Sequence, residues 1–404
     1  MPRRENAEFA MRIRSIQTHN LYFDYPNRKG YLYAGGQVTS RVTTIVEIQT
    51  DSGLTGWGAT YAYPDLARII IEDHLAPHLI GQDPRPVEAI WDKLYGLTRW
   101  YGRKGVAMSA LGGIDIALWD LRGKIEGQPI WRLLGASEGR APAYASALFW
   151  KDRPEELTDE ALRLRERGFA RFKTRLGKNW DYDTGVVREV SRAIAPWGRL
   201  LVDGSHRYEL EAAIRFDEVL AEHDVFWFEE PFAPEEIDRY VALRPHLKTP
   251  LAAGENDFGV QGFREMIRAG ALDVVQADAC RAGGITECRR ISSMAAEHGL
   301  KFAPHTWSDA VALLANAHLV AAAPHGLTVE VDQTRNPFIE KLLRDPLKLQ
   351  DGILQLGDGP GLGAEVDREA LERLSLPRGQ SIPPGNYSDL IFGAEYSHEA
   401  PPYA

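Results

Sequence analysis

The chain has 404 residues, 44% hydrophobic and 26% charged, with 47 Lys and Arg against 57 Asp and Glu for a net charge of −10. That length exceeds the usual size of one hydrophobic core, so two domains are expected. The acidic balance argues against sequence-independent nucleic-acid binding, which needs clustered Lys and Arg. No apolar stretch near the N-terminus is long enough for a signal peptide or membrane span, so no membrane partner is expected. Two cysteines, Cys280 and Cys288, do not make a disulfide framework; two reduced, buried thiols and a cytoplasmic location are expected. Residues 1–10 read as a loose polar tail. Strand patterns follow at 12–16, which alternates, and at 42–48, which is β-branched. Between them residues 22–33 are rich in Tyr, Asn, Gly and Pro and read as a long loop. A turn and short strand come at 53–58, then a second aromatic loop at 61–63. Apolar residues at helical spacing in 66–79 and 87–97 predict helices. Strands followed by helices make an α+β domain, residues 1–135.

From about residue 141 strands and helices alternate. Strands are predicted at 142–148, 169–175, 199–203, 225–229, 250–254, 273–277, 301–305 and 327–331. Helices between them include 154–167, 183–193, 210–222, 234–243, 259–269 and 284–298. Eight strands close a barrel, so residues 136–340 are assigned to an α/β domain of the (β/α)7β type. The Gly- and Pro-rich segment 341–404 is expected to fold back on the first domain.

Seven ionisable residues recur along this barrel: Lys173, Asp203, Glu229, Glu255, Asp278, His305 and Glu330. Their spacings are 30, 26, 26, 23, 27 and 25 residues, about one strand, one helix and two loops. Lys173, Asp203 and Glu229 each close an apolar run of the kind that parallel strands show. Side chains at the C-terminal strand ends of such a barrel share one mouth. Asp203, Glu229 and Glu255 stand on consecutive strands. Carboxylates that converge without His or Cys suit a hard divalent ion, Mg²⁺ before Zn²⁺. Taken singly, a strand-end acid more often pairs with a neighbouring Lys or Arg. Glu230 is expected on the other side of its strand, as a structural acid. Asp278 and His305 end adjacent strands, where a carboxylate can orient an imidazole as an acid–base dyad. Lys173 and Arg175 share a strand face. They read as a substrate clamp, with Lys173 a candidate proton-transfer group if burial and Arg175 lower its pKa.

With these residues in hand the chain resembles the enolase superfamily, specifically its mandelate-racemase-like acid-sugar dehydratases. The resemblance runs from about residue 11 to 370. It rests on the run from Gly113 to Lys124 (Gly-Ile-Asp-Ile-Ala-Leu-Trp-Asp-Leu-Arg-Gly-Lys), on Lys173-x-Arg175 and on Trp227-Phe228-Glu229-Glu230-Pro231. It continues through Gly254-Glu255-Asn256, Asp278 with Gly283-Gly284, His305 and Glu330. The resemblance implies Mg²⁺ on Asp203, Glu229 and Glu255, an Asp278–His305 dyad, and Glu330 hydrogen-bonding the substrate carboxylate in protonated form. It implies a small-molecule sugar-acid substrate and a homo-oligomer. It also implies an N-terminal domain that caps the barrel, with its aromatic loops over the substrate; Tyr22, Tyr61, Ser205 and Trp307 are the expected binding residues.

The chemistry so implied is proton abstraction beside a carboxylate. Racemases of this type use Lys-x-Lys, whereas this chain has Arg175, which stays protonated and is a poor base. Dehydration of an aldonate or aldarate, with His305 first as base and then as acid, is therefore favoured over racemisation or epimerisation. Cycloisomerases and dipeptide epimerases rank lower, because the basic residue near the sixth strand is Arg281 and not Lys. A metal hydrolase would want His-x-His on an early strand, and a non-catalytic relative would not keep the whole constellation. Ser205 stands where relatives often carry Asn. His206, next along, is expected to face away.

Overall fold

A computed structural model describes residues 11–383 and Ser388. The polar tail at 1–10 and most of the chain beyond 383 lie outside the described residues. Five strands open the N-terminal domain: β1 (Ile13–Asp24), β2 (Tyr31–Tyr33), β3 (Gly36–Val38), β4 (Ser40–Thr50) and β5 (Thr55–Thr60). β1, β4 and β5 form an antiparallel sheet in that order, and β2 pairs with β3 as a hairpin. β1 runs further than its alternating start suggests, with Tyr22 paired to Val42, so the loop predicted at 22–33 is part strand and part hairpin. The helices Val87–Thr98 and Val106–Glu126 follow.

The second helix carries the Gly113–Lys124 run and is buried along most of its length. Its glycines explain how. A Cβ on Gly112 would lie 2.5 Å from the Ala279 carbonyl, and one on Gly58 would lie 1.9 Å from the Gly113 carbonyl. Glycine at both places lets the helix backbone touch the β5 strand on one side and the barrel on the other. Asp115 then accepts from both the backbone N–H and the hydroxyl of Thr286, which fixes the cap on the barrel.

The barrel strands are β6 (Arg140–Ser146), β7 (Arg171–Arg175), β8 (Arg199–Asp203), β9 (Phe228–Glu229), β10 (Leu251–Ala253), β11 (Val274–Val275), β12 (Lys301–Phe302) and β13 (Val329–Asp332). They pair in parallel in sequence order, and β13 returns to pair with β6. Between β12 and β13 the wall is joined by Phe302 N–H to the His325 carbonyl at 3.0 Å and Leu327 N–H to the Phe302 carbonyl at 2.8 Å. A helix separates each pair of successive strands, the last being Ala310–Ala322, which gives the (β/α)7β arrangement.

A strand's period of two places alternate residues inside the barrel. Tyr144, Leu201, Trp227, Ala252, Val274 and Ala303 make the inner floor. Two residues further along, Leu201 gives Asp203 and Trp227 gives Glu229. The site therefore stands on a dry apolar plug, and Trp227 Nε1–H donates to Glu229 Oε2 at 2.8 Å.

Past the barrel, β14 (Lys348–Gln350) and β15 (Ile353–Gln355) form a hairpin whose second strand pairs antiparallel with β6. Helix Arg368–Leu374 then reaches the cap, where Arg368 donates to Glu47 at 2.6 Å and Leu376 N–H to the Asn20 carbonyl. Among the described residues no helix is long and apolar enough to cross a membrane. Both cysteines are buried and unbridged.

Candidate active site

Strand order brings the seven ring residues to one end of the barrel. Lys173 is wholly buried, its Nζ 2.7 Å from Glu229 Oε1, 2.8 Å from Glu330 Oε1 and 3.9 Å from Asp203 Oδ2. Burial alone would lower the Lys173 pKa, but Glu229 and Glu330 outweigh it and hold the ammonium charged beyond its ordinary range. This corrects the expectation of a lowered pKa. The partners that reverse it come from β9 and β13, far away in sequence.

Arg175 donates to Ser146 Oγ at 2.8 Å and lies 3.6 Å from Asp203 and 3.7 Å from Glu330. Its guanidinium sits between the rings of Phe149 (4.6 Å) and Trp307 (4.7 Å). Burial opposes its charge, and Asp203 and Glu330 more than restore it, so Arg175 is a fixed cation.

Asp203, Glu229 and Glu255 offer carboxylate oxygens that all lie within 4.8 Å of one another. Opposite ligands of six-coordinate Mg²⁺ stand about 4.2 Å apart, so these groups are nearly closed around an ion of that size. Glu255 Oε2 is buried without a hydrogen-bond partner, as an oxygen reserved for a cation would be. The charges agree. Burial, with Asp203, Glu255 and Glu330 beside it, raises the Glu229 pKa to about 8 despite Lys173, the mark of too much negative charge in one place. With all five carboxylates ionised, Asp203, Glu229, Glu255, Asp278 and Glu330 exceed the cations Lys173, Arg175 and His305 by two, which a divalent ion cancels.

Asp278 caps the short helix Ala279–Ala282. Its Oδ1 accepts from Cys280 N–H and from Asn316 Nδ2, and its Oδ2 lies 2.8 Å from His305 Nδ1. With Nδ1 on the carboxylate, His305 turns Nε2 toward Glu255 Oε2, 3.8 Å away. Burial would lower the His305 pKa, but Glu255, Asp278 and Glu330 raise it to about 9.

Glu330 was expected to be protonated. It is fully buried, yet Lys173, His305 and Arg175 overcome the burial penalty and hold its pKa at about 2. Its Oε2 accepts from Thr306 N–H at 3.1 Å. With no substrate bound, Glu330 is an ionised brace for Lys173.

Above the ring lies a cavity of about 830 Å³, within the usual range for small-molecule sites. Arg175, Asp203, Glu255 and His305 line its depth, and Tyr61, Ser205 and Trp307 line its walls as expected. Tyr61 stacks near His305, ring centroids 6.0 Å apart. Tyr22 is not among the lining residues. It lies on β1, where its hydroxyl donates to Asp24 at 2.6 Å, and the β2–β3 hairpin presents Tyr31 and Tyr33 instead.

Two further expectations fail for one reason. Ser205, His206 and Glu230 have φ of +52°, +59° and +33°, so strand alternation does not extend past Asp203 or Glu229. His206 and Glu230 therefore both line the cavity, with His206 Nε2 2.6 Å from Glu230 Oε2. Asn256 also donates to Glu230 Oε2 at 2.8 Å and accepts from Arg281 at 3.0 Å. Tyr31 and Tyr33 belong to the aromatic segment expected over the substrate, whereas Phe149, Asn256 and Arg281 are cavity residues with no such expectation. For Asn256 a signal existed in its place next to Glu255.

The family model described as enolase C-terminal domain-like matches residues 156–370. The one for the mandelate racemase / muconate lactonizing enzyme N-terminal domain matches residues 23–135. D-galactarolactone cycloisomerase of Agrobacterium fabrum is 36% identical over 91% of this chain and 100% of its own length. Arabinonate dehydratase of Saccharolobus solfataricus is 31% identical over 88% of this chain and 96% of its own. The structure of L-talarate/galactarate dehydratase from Salmonella typhimurium LT2, liganded with Mg and L-lyxarohydroxamate, superposes with a TM-score of 0.84. It is 29% identical and covers 93% of this chain and 96% of that one. The relatives thus include cycloisomerases as well as dehydratases, and similarity at this level does not rank one reaction above the other. This chain belongs to the enolase superfamily, in its mandelate-racemase-like branch, and carries an acidic triad suited to Mg²⁺.

Proposed function

We propose that the chain removes an oxygen substituent from the carbon β to a carboxylate in a sugar acid, giving a 2-keto-3-deoxy acid by dehydration. The observation that carries this reading is the Asp278–His305 pair at 2.8 Å, with Nε2 directed at the mouth of the carboxylate triad. It is the sole neutralisable base of the ring in view of its neighbours: Lys173 is clamped by two carboxylates and Arg175 is a stacked, paired guanidinium. Configuration exchange at carbon needs a base on each face, so elimination fits better than racemisation.

In the proposed sequence His305 Nε2 takes the α-proton and that electron pair forms a C=C bond as the β C–O bond breaks. The imidazolium gives its proton to the departing hydroxide, water leaves, and the enol becomes the keto acid. Lys173 stabilises charge gathering on the substrate carboxylate, and Asp278 holds the imidazolium it helps to form. Magnesium bound by Asp203, Glu229 and Glu255 would supply fixed positive charge to the same carboxylate oxygens.

The 36% identity to a cycloisomerase supports a second reading on the same groups. If the departing oxygen belongs to a ring, the same elimination opens the ring and loses no water. A Mg²⁺-supported screen of aldonates, aldarates and their lactones in D₂O tests both. Keto acid from an open-chain acid supports dehydration, and keto acid from lactone alone supports ring opening. Deuterium in recovered substrate without keto acid would sink both and favour an epimerase.

A further inference from the structure

Two arginines that line this cavity, Arg207 and Arg281, have no part in the proposed chemistry, and Arg281 is the one that adjoins the proposed base. It sits on the short helix that Asp278 caps, and its guanidinium lies 5.6 Å from the Tyr61 ring centroid and 5.5 Å from that of Phe258. Tyr61 also stacks near His305, ring centroids 6.0 Å apart, so Arg281 stands one ring away from the proposed base. Its side chain makes one hydrogen bond, to the neutral amide of Asn256, and its Nε is buried with no acceptor. Among the described residues it has no carboxylate within ion-pairing distance, unlike Arg175 with Asp203 and His206 with Glu230.

The surroundings reinforce this. His206, Glu230, Asn256 and Arg281 form one hydrogen-bonded strip along the cavity wall, joined at 2.6, 2.8 and 3.0 Å. With His206 protonated the strip carries one positive charge more than it carries negative. The other two acids on the outer wall, Glu209 and Glu236, are both engaged by Arg239, at 2.6 and 2.8 Å. A partly buried guanidinium held between two rings is costly without an anion and is well shaped for a carboxylate.

We propose that the cavity takes a sugar dicarboxylate, its reacting carboxylate at Lys173 and the acidic triad and its distal carboxylate on Arg281. This rests on the elimination reading and narrows its substrate class from any sugar acid to a diacid or the lactone of one. Arg281 is a specificity residue here, and Asn256 orients it.

The test compares six-carbon aldarates with aldonates of the same configuration, galactarate with galactonate, glucarate with gluconate and mannarate with mannonate. Both turnover by the Mg²⁺-loaded enzyme and calorimetric binding to Mg²⁺-loaded His305→Asn are measured, the second reading affinity without chemistry. The diacid of at least one pair is expected to exceed its monoacid about 100-fold in kcat/KM. Arg281→Met should cut that ratio at least 30-fold, mainly through KM, and Arg281→Lys should recover part of it. Keto acid formed equally from monoacid, a ratio unmoved by Arg281→Met, or no diacid binding in any pair overturns the proposal. Arg281-dependent diacid binding without keto acid from any aldarate or its lactone would support the dicarboxylate site and sink the elimination reading instead.

Discussion

Two histidine–carboxylate pairs stand at the barrel mouth, and they differ in what surrounds them. His305–Asp278 follows β12 and β11; His206–Glu230 follows β8 and β9, three strands along the sheet. The first has a side chain 5% exposed and abuts Glu255 of the triad. The second has a side chain 36% exposed and lies in the wall strip that ends at Arg281. Burial opposes the charge on both, and carboxylates raise both pKa values: Glu255 leads for His305, and Glu230 leads for His206. Pairing therefore does not by itself make a histidine a catalyst. Its place relative to the metal ligands and to open cavity does.

Breaking each pair should separate the two roles. In Mg²⁺-loaded enzyme, His305→Asn is expected to lower kcat by about 10³–10⁴-fold, the scale of a lost general base. His206→Asn should cost about tenfold, seen mainly in KM. Equal losses in kcat would erase the distinction. One step out, Asp278→Asn should lower kcat about 100-fold by freeing the imidazole and removing the charge that stabilises its protonated form.

A third histidine supplies the contrast with no carboxylate at all. His318 is buried, accepts from Trp131 N–H on Nδ1 at 3.1 Å and places Nε2 3.1 Å from the Leu362 carbonyl. Burial lowers its pKa to about 4. The unfolded chain takes up a proton near pH 6.5 and the native one does not until about 4, so this site's stability is full above 6.5 and lost as pH falls toward 4. The loss should reach about 3 kcal/mol, measured by denaturant melts of His318→Gln against the parent protein.

The smallest effect sharpens the first comparison most. Adding Mg²⁺ neutralises Glu255, so the His305 resonance should titrate at least about one unit lower while His206 moves by less. Equal shifts in an NMR titration would show that the pairs sense the triad alike. In the metal-free protein the contribution of His305 to stability is complete below pH 6.5 and disappears as pH rises through about 9, because its folded pKa is the higher one.

Much of the barrel site is legible because it depends on short-range rules. The 23- to 30-residue spacing and the apolar runs ending in Lys173, Asp203 and Glu229 place these residues at strand ends, and the closed sheet brings them together. The reading failed where the chain left the strand. At His206 and Glu230 the left-handed backbone turns into the cavity side chains that alternation sends outward, while Ser205 lines it as expected. Tyr22 was misplaced because β1 continues to Asp24, a length fixed by pairing with β4 and not by its own residues.

The amino-acid order alone determined the strand–helix rhythm, the register of inward-facing residues and the donor set for a hard cation, because each follows from periodicity and residue chemistry. The tertiary structure decided the charge states and the shape of the cavity. Lys173 keeps its proton and Glu330 loses its own because strands β7, β9 and β13 bring them within hydrogen-bonding reach in a dry interior. Arg281 has Asn256 as its hydrogen-bond acceptor and no carboxylate, with the cap's Tyr61 and the barrel's Phe258 on its flanks. Electrostatics in a low-dielectric interior depends on distances between residues remote in sequence, and only the folded chain sets those.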